Sequence, residues 1–286
     1  MTEPSRSVLA VPGADEVVAY RLAAAVPGGR PPLVIVHGYA EHAGRHQRLA
    51  RAASEAGHDV YALDLPGHGR SAGRRGFVSS YAPLVASVTA LVENATAESG
   101  RRPALFGHSM GGAVALAYAL EHPGTISHLV LSAPYLLDAN PRPRWLTALA
   151  GPVAAVAPGM AVAKLDAGAL ARDPVVGAAY VADPLVYSGP VAAATGHTLT
   201  DMGRRLLAAA DRLSVPTLVV HGEEDGVASV RGSEQLAARA GDRLRLVRIE
   251  GAYHEMHNEP EATGVPQRFL AAVLGFVADH GAAVDS

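Results

Sequence analysis

The chain has 286 residues, of which 49% are hydrophobic and 18% charged, with a formal net charge of −3; that suffices for one large domain, or one domain carrying an insertion, around a substantial core. There is no basic excess to follow a nucleic-acid backbone, no run of the roughly 18 apolar residues a membrane span requires, and no cysteine to supply disulfides, thiolate metal sites or thiol nucleophiles. The N-terminal MTEPSRSVLAVPGADE lacks a basic head followed by an apolar stretch and a cleavage site, so a soluble, cytoplasmic protein is expected.

After a short polar tail, Glu16 to Leu22 reads as an early strand, and PGGRPP as the turn behind it. Leu33-Val34-Ile35-Val36 is a continuous β-branched run of the kind buried on both faces of a sheet, and it ends in His37-Gly38-Tyr39. His46 to Gly57 has helical spacing with a terminal glycine. Val60 to Leu63 is a second buried strand, leading into the Gly/Pro-punctuated loop from Asp64 to Ser71, and Ser80 to Glu98 reads as a helix. Pro103 to Phe106 passes through Gly107-His108-Ser109-Met110-Gly111 into an Ala- and Leu-rich segment: strand, tight turn, helix. His128 to Ser132 is the next strand, and this alternation predicts a mostly parallel sheet covered by helices on both faces.

From Pro134 to about Arg205 the rhythm stops. The segment is rich in Ala, Gly and Pro, with Trp145, Leu146, Leu149, Val153, Met160, Leu165 and Leu170 scattered through it, and is too long for a structureless loop. A helical cap over residues 134–205 is expected, interrupting a core made of 1–133 and 206–286. The sheet pattern resumes at Pro216 to Val220, ending in His221-Gly222-Glu223-Glu224-Asp225. Ser229 to Ala240 reads as a helix, Leu244 to Ile249 as the last strand, and the residues after Glu261 as a closing helix.

Each strand-like run ends in polar residues, and in open α/β sheets the carboxyl ends of the strands form the ligand crevice. Ser109 sits at a strand-to-helix bend, where Gly107 and Gly111 let the backbone close up and the helix N-terminus favours negative charge. A serine nucleophile there needs a histidine base and an acid to fix its tautomer. Asp225 is the favoured acid, with Glu223 and Glu224 as rivals. His254, just after the last strand, is the favoured base, with His257 in the same loop as its competitor. The backbone N–H groups of Met110 and Tyr39 are the expected oxyanion donors, and His37 is expected to brace the loop that carries Tyr39.

Seven stretches carry a broader resemblance: HGYAEHAGRH from His37, DLPGHGRSAGRRGFV from Asp64, GHSMGG from Gly107, LSAP from Leu131, RDPVVGAAYVADPLV from Arg172, HGEEDGV from His221 and EGAYHEMHNEPE from Glu250. Together they resemble the monoacylglycerol lipase family of α/β-hydrolases. The resemblance implies Ser109, Asp225 and His254 as a catalytic triad and Tyr39 and Met110 as oxyanion donors. It further implies a polar pocket for a glycerol head formed by Glu41, Arg45 and His257 with Tyr180 nearby; a loop-fixing salt bridge between Glu41 and Arg45 is the plainer alternative. No metal or organic cofactor is implied, and the expected partner is a lipid ester, reached through a cap able to touch a lipid surface. Ester hydrolysis of monoacylglycerols is the expected activity, with a broader carboxylesterase or lysophospholipase, and a non-catalytic lipid binder, as alternatives. Two departures stand out: His46 occupies a place where the family usually has Tyr, and the insertion is unusually rich in Ala and Pro.

Overall fold

The computed structural model describes residues 3–281 except 13–14, 27–28, 142 and 144–148, so Trp145 and Leu146 lie outside the described residues. Strand β1 (Ser5–Leu9) pairs antiparallel with β2 (Val17–Leu22), and β3 (Leu33–Val36) leads through a 3₁₀ turn (Ala43–His46) into α1 (Gln47–Glu55). Then follow β4 (Val60–Leu63), α2 (Ala82–Ser99), β5 (Ala104–His108), α3 (Met110–Glu121) and β6 (His128–Ser132). The insertion contains α4 (Ala150–Val156), β7 (Ala161–Ala163), α5 (Pro174–Ala182), β8 (Val191–Ala192) and α6 (Ala193–Ala208). The chain closes with β9 (Thr217–Gly222), α7 (Val230–Ala240), β10 (Leu244–Ile249) and α8 (Val265–Gly281).

Eight strands make one sheet in the order β1-β2-β4-β3-β5-β6-β9-β10, parallel from β4 through β10 and antiparallel where β2 meets β1 and β4. The period of two along β3 sends Leu33 and Ile35 to one face and Val34 and Val36 to the other. The first pair joins a core with Leu49 and Ala53 of α1 and Val265, Phe269 and Val273 of α8. The second joins Val88 and Leu91 of α2, Val114 and Leu116 of α3, and Met202 and Leu206 of α6. This is the α/β-hydrolase fold, and it places the ends of β3, β5, β9 and β10 along one rim.

Two differences from the sequence reading have plain causes. The polar tail forms β1, whose side chains are mostly exposed; the backbone ladder to β2, in register from Ser5 opposite Arg21 to Leu9 opposite Val17, holds it, and polarity gives no sign of that. The 134–208 segment also carries, besides its helices, the two-stranded antiparallel ribbon β7–β8, too short to stand out in an Ala-rich background. Residues of the insertion cross to the loops at the rim: Tyr187 N–H donates to Ala40 O (2.8 Å), Arg75 Nη2 to Leu185 O (2.6 Å), and Glu255 N–H to Leu170 O (2.7 Å). Among the described residues, no helix is long and apolar enough to cross a membrane.

Candidate active site

The turn between β5 and α3 forces Ser109 to φ 53°, ψ −118°, a region that non-glycine residues rarely occupy and that costs about 1–3 kcal/mol. Packing around it maintains the strain. A Cβ on Gly107 would run into the backbone of Gly111, and one on Gly111 would fall on the carbonyl oxygens of Val36 and His37. Only glycines let the turn sit this close to the end of β3. Ser109 N–H donates to Ser132 O (2.9 Å), and Ser109 O accepts from Ala113 N–H (3.1 Å) and Tyr135 N–H (3.0 Å), so the backbone is fixed while the side chain stands at the N-terminus of α3.

His254 Nδ1 lies 2.7 Å from Asp225 Oδ2, and the two side chains are 3% and 0% exposed. Asp225 Oδ1 accepts the N–H groups of Val227 (2.8 Å) and Ala228 (2.9 Å). With the Nδ1 proton committed to a carboxylate, Nε2 of His254 is left with its lone pair. Burial pushes the Asp225 carboxyl up, but the charge of His254 and hydrogen bonds from His221 and His254 outweigh it and hold the pKa well below the ordinary carboxylate range. Burial pushes the His254 imidazole down, yet Asp225, by charge and hydrogen bond, with Glu255 and Glu41 behind it, raises the pKa above the ordinary value. The rival acids are elsewhere: Glu223 pairs with Arg248 (3.4 Å) and Glu224 with Arg172 (3.2 Å), both partly exposed. The ring of His108, the residue before Ser109, lies 4.8 Å from that of His254, and no hydrogen bond joins Ser109 Oγ to His254.

The loop after β3 packs directly on the turn, for a Cβ on Gly38 would stand 3.1 Å from Ser109 Cβ. His37 braces it: Nδ1–H donates to Gly38 O (2.7 Å), and Nε2 accepts Leu65 N–H (2.9 Å). Among the described residues, neither the Tyr39 nor the Met110 N–H has a hydrogen-bond acceptor. Glu41 closes the loop on itself. Its Oε1 accepts Gly38 N–H (2.5 Å) and faces His46 Nε2 (3.0 Å), and its Oε2 accepts Arg45 Nε–H (3.2 Å). Arg45 Nη2 then donates to Glu255 Oε2 (2.5 Å), which also accepts Asn258 Nδ2–H (2.8 Å). Burial favours the neutral Glu41 carboxyl, but His46, followed by His108 and Arg45, holds its pKa well below the ordinary range.

Residues 30–261 match a family model described as serine aminopeptidase, S33. The chain is 41% identical over 234 residues to a monoacylglycerol lipase of Mycolicibacterium smegmatis, covering 81% of this chain and 84% of that protein. It is 34% identical over 244 residues to the monoglyceride lipase of Homo sapiens, covering 83% and 80%. The chain belongs to the monoacylglycerol lipase family. The crystal structure of Paleococcus ferrophilus monoacylglycerol lipase superposes with a TM-score of 0.80 at 30% identity, covering 98% of this chain and all of that one.

Within this monoacylglycerol lipase scaffold, the four residues expected around a glycerol head divide. Arg45 and Tyr180 are together, the guanidinium 4.8 Å from the ring centroid, and the buried Tyr180 hydroxyl has no hydrogen-bond partner. Glu41 is already engaged by three donor groups. His257 is fully buried behind the loop, stacked on His46 at 4.5 Å and 5.0 Å from His108, with neither ring nitrogen partnered. The sequence reading gave no role to His221. Its Nε2 lies 3.1 Å from Asp225 Oδ2 and 3.0 Å from Ala228 O, so it is a donor there, and Nδ1 accepts the Ser233 hydroxyl (2.7 Å). The spacing of His221 and Asp225, four residues apart across a strand end, was the available signal.

Proposed function

We propose that Ser109, His254 and Asp225 form the triad with which this chain, a carboxylic ester hydrolase, cleaves monoacylglycerols to fatty acid and glycerol. The observation that carries the reading is the 2.7 Å Asp225–His254 contact at the rim where Ser109 is held on a strained turn. His254 Nε2 takes the Ser109 hydroxyl proton as Oγ bonds to the ester carbonyl carbon. The N–H groups of Tyr39 and Met110 receive the oxyanion. His254 then protonates the departing glycerol oxygen as the carbon–oxygen bond breaks, and a water molecule repeats the sequence on the acyl-serine. Hydrogen bonds between nucleophile and base commonly tighten only when substrate is bound. Metals and organic cofactors have no part in these steps.

The glycerol hydroxyls meet the unpartnered Tyr180 hydroxyl and the Arg45 Nη1 donors, Arg45 being held from behind by Glu41, while His257 is stacked on His46 behind the loop. A site that hydrogen-bonds a hydroxyl rejects molecules lacking it, because its own buried groups are then left unpaired. Residues 134–205 act as a cap whose exposed Leu149, Val156, Met160, Val175 and Val181 offer an apolar surface to a lipid interface. The family model's description favours a second reading, peptide hydrolysis. An aminopeptidase needs an unpaired carboxylate for the substrate ammonium, whereas Glu41 and Glu255 are both bound to Arg45. Rates of the purified protein on a monoacylglycerol, a lysophospholipid and an amino-acid anilide test the reading. Monoacylglycerol is expected to be the preferred substrate, and Ser109→Ala to lower its turnover by about 10⁴-fold or more while the fold survives. Preference for the anilide, or substantial turnover by Ser109→Ala, overturns it.

A further inference from the structure

The two loops that must be placed relative to one another arise far apart in the sheet. The oxyanion loop follows β3 and the base loop follows β10, with β5, β6 and β9 between them, so no backbone ladder sets one against the other. His46 stacks on His257 across the gap at 4.5 Å and Arg48 Nη1 donates to His257 O (2.9 Å) and Glu259 O (3.2 Å), but it is Arg45 that joins a carboxylate of one loop to a carboxylate of the other. Arg45, only 10% exposed, gives Nε–H to Glu41 on the first loop and Nη2–H to Glu255, the residue directly after His254, on the second; both carboxylates are 2% exposed. Each carboxylate in turn grips its own loop. Glu41 Oε1 accepts the amide of Gly38, next to Tyr39, and Glu255 Oε2 accepts Asn258 Nδ2–H, while the backbone N–H of Glu255 is bonded to Leu170 O of the insertion.

A guanidinium is a rigid planar fork, and two carboxylates bound to two of its nitrogens, here Nε and Nη2, are held in a fixed relation to one another. We propose that Arg45 is a positioning residue that sets the oxyanion loop against the base loop through Glu41 and Glu255, for any acyl ester and independently of the alcohol. This role rests on the assignment of Ser109, His254 and Tyr39 above, and is additional to any contact Arg45 makes with glycerol. Lysine cannot reproduce it, since a point charge on a flexible stem imposes no angle between its partners. A displacement of the reacting groups by about 1 Å can cost about 10²-fold in rate.

The experiment compares a monoacylglycerol with the methyl ester of the same fatty acid, which has no glycerol hydroxyls to bind. Arg45→Lys and Glu255→Gln are checked for folding by thermal melting and near-UV circular dichroism, then assayed on both esters. The expected result is an equal loss on the two substrates, about tenfold or more, carried by kcat with KM within about threefold of the parent, and a matching slowing of Ser109 labelling by a fluorophosphonate. A methyl-ester kcat within twofold of the parent, whatever happens to the monoacylglycerol, overturns the proposal and leaves Arg45 as a head-group contact only. A loss carried by KM overturns it too. If Arg45→Lys does not fold, Glu255→Gln decides by the same criterion. Failure of the triad assignment is read separately, as turnover retained by Ser109→Ala.

Discussion

At the scale of single residues, the site is organised by opposed effects on His254. Enclosure favours the neutral ring, while the ionised Asp225 at 2.7 Å favours the charged one and wins. In the mechanism we propose, only the neutral ring accepts the Ser109 proton, so kcat/KM is expected to rise with pH through a value above the ordinary 6.5 of histidine. Asp225→Asn removes the raising influence and leaves the burial that lowers. The acid limb is therefore expected to move to lower pH, while the maximal rate falls by about 10⁴-fold, because the Nδ1 proton is no longer held in place. The measurement is a pH profile of kcat/KM on a soluble ester; a limb that stays put in the variant means that another group titrates there. Much of this pair was legible beforehand. Asp225 and His254 each follow a strand end, in the chain order serine, acid, base, and the rivals Glu223 and Glu224 engage surface arginines instead. The 2.5 Å contact of Arg45 with Glu255 was not legible, since it joins residues 210 positions apart and depends on how two loops fold back.

At the scale of elements, the turn between β5 and α3 is a close-packing problem solved by small residues. Gly111 abuts the last carbonyls of β3, so Gly111→Ala must either push β3 away or unwind the first turn of α3. Overpacking of this kind typically costs about 1–3 kcal/mol. Here it also moves Met110 and Ser109, so fluorophosphonate labelling is expected to be lost even where the protein remains folded. Gly275 is the control: it is exposed on α8, with nothing within 4 Å of an added Cβ, and Gly275→Ala is expected to stabilise by up to about 1 kcal/mol through helix propensity. Urea melts of the two variants settle the comparison; equal shifts would show that the turn is not tightly packed. The same contrast explains which elements could be read from sequence. β3, β4, β5 and β6 are enclosed on both faces and read as short apolar runs, whereas β1 and the β7–β8 ribbon are held by backbone pairing, which leaves no hydrophobic signature. The 3₁₀ turn Ala43–His46 was not anticipated: the helix expected from His46 to Gly57 runs from Gln47 to Glu55, and the turn ahead of it is set by the His42 side chain accepting Gly44 N–H, which apolar spacing does not show.

At the scale of the whole molecule, the unusual load is the number of histidines enclosed by the fold. Burial lowers the pKa values of His37, His58, His108 and His257 and pushes that of His68 down to about 3. Each of them takes up a proton near 6.5 when the chain unfolds but resists doing so when folded. The unfolded state therefore binds more protons as the pH falls below about 6.5. Stability is fully present above that value and is lost toward acid, at up to about 1.4 kcal/mol per pH unit for each such proton. His254 acts in the opposite sense: its raised pKa adds stability below its unfolded value, and that contribution disappears as the pH rises through the folded one. Five lowered histidines against one raised one leave the balance on the side of acid sensitivity. The carboxylates held low, Glu41 and Asp225, add to the loss only at still lower pH, as their unfolded counterparts protonate near 4. The urea midpoint is accordingly expected to fall as the pH is lowered from about 6.5 to about 5. His257→Asn, which removes one enclosed imidazole without a hydrogen-bond partner, should flatten that slope by about one proton. A midpoint that is constant or rises over this range would mean that the buried imidazoles acquire partners or water on protonation, and that the enclosure behind Glu41 is looser than its packing implies.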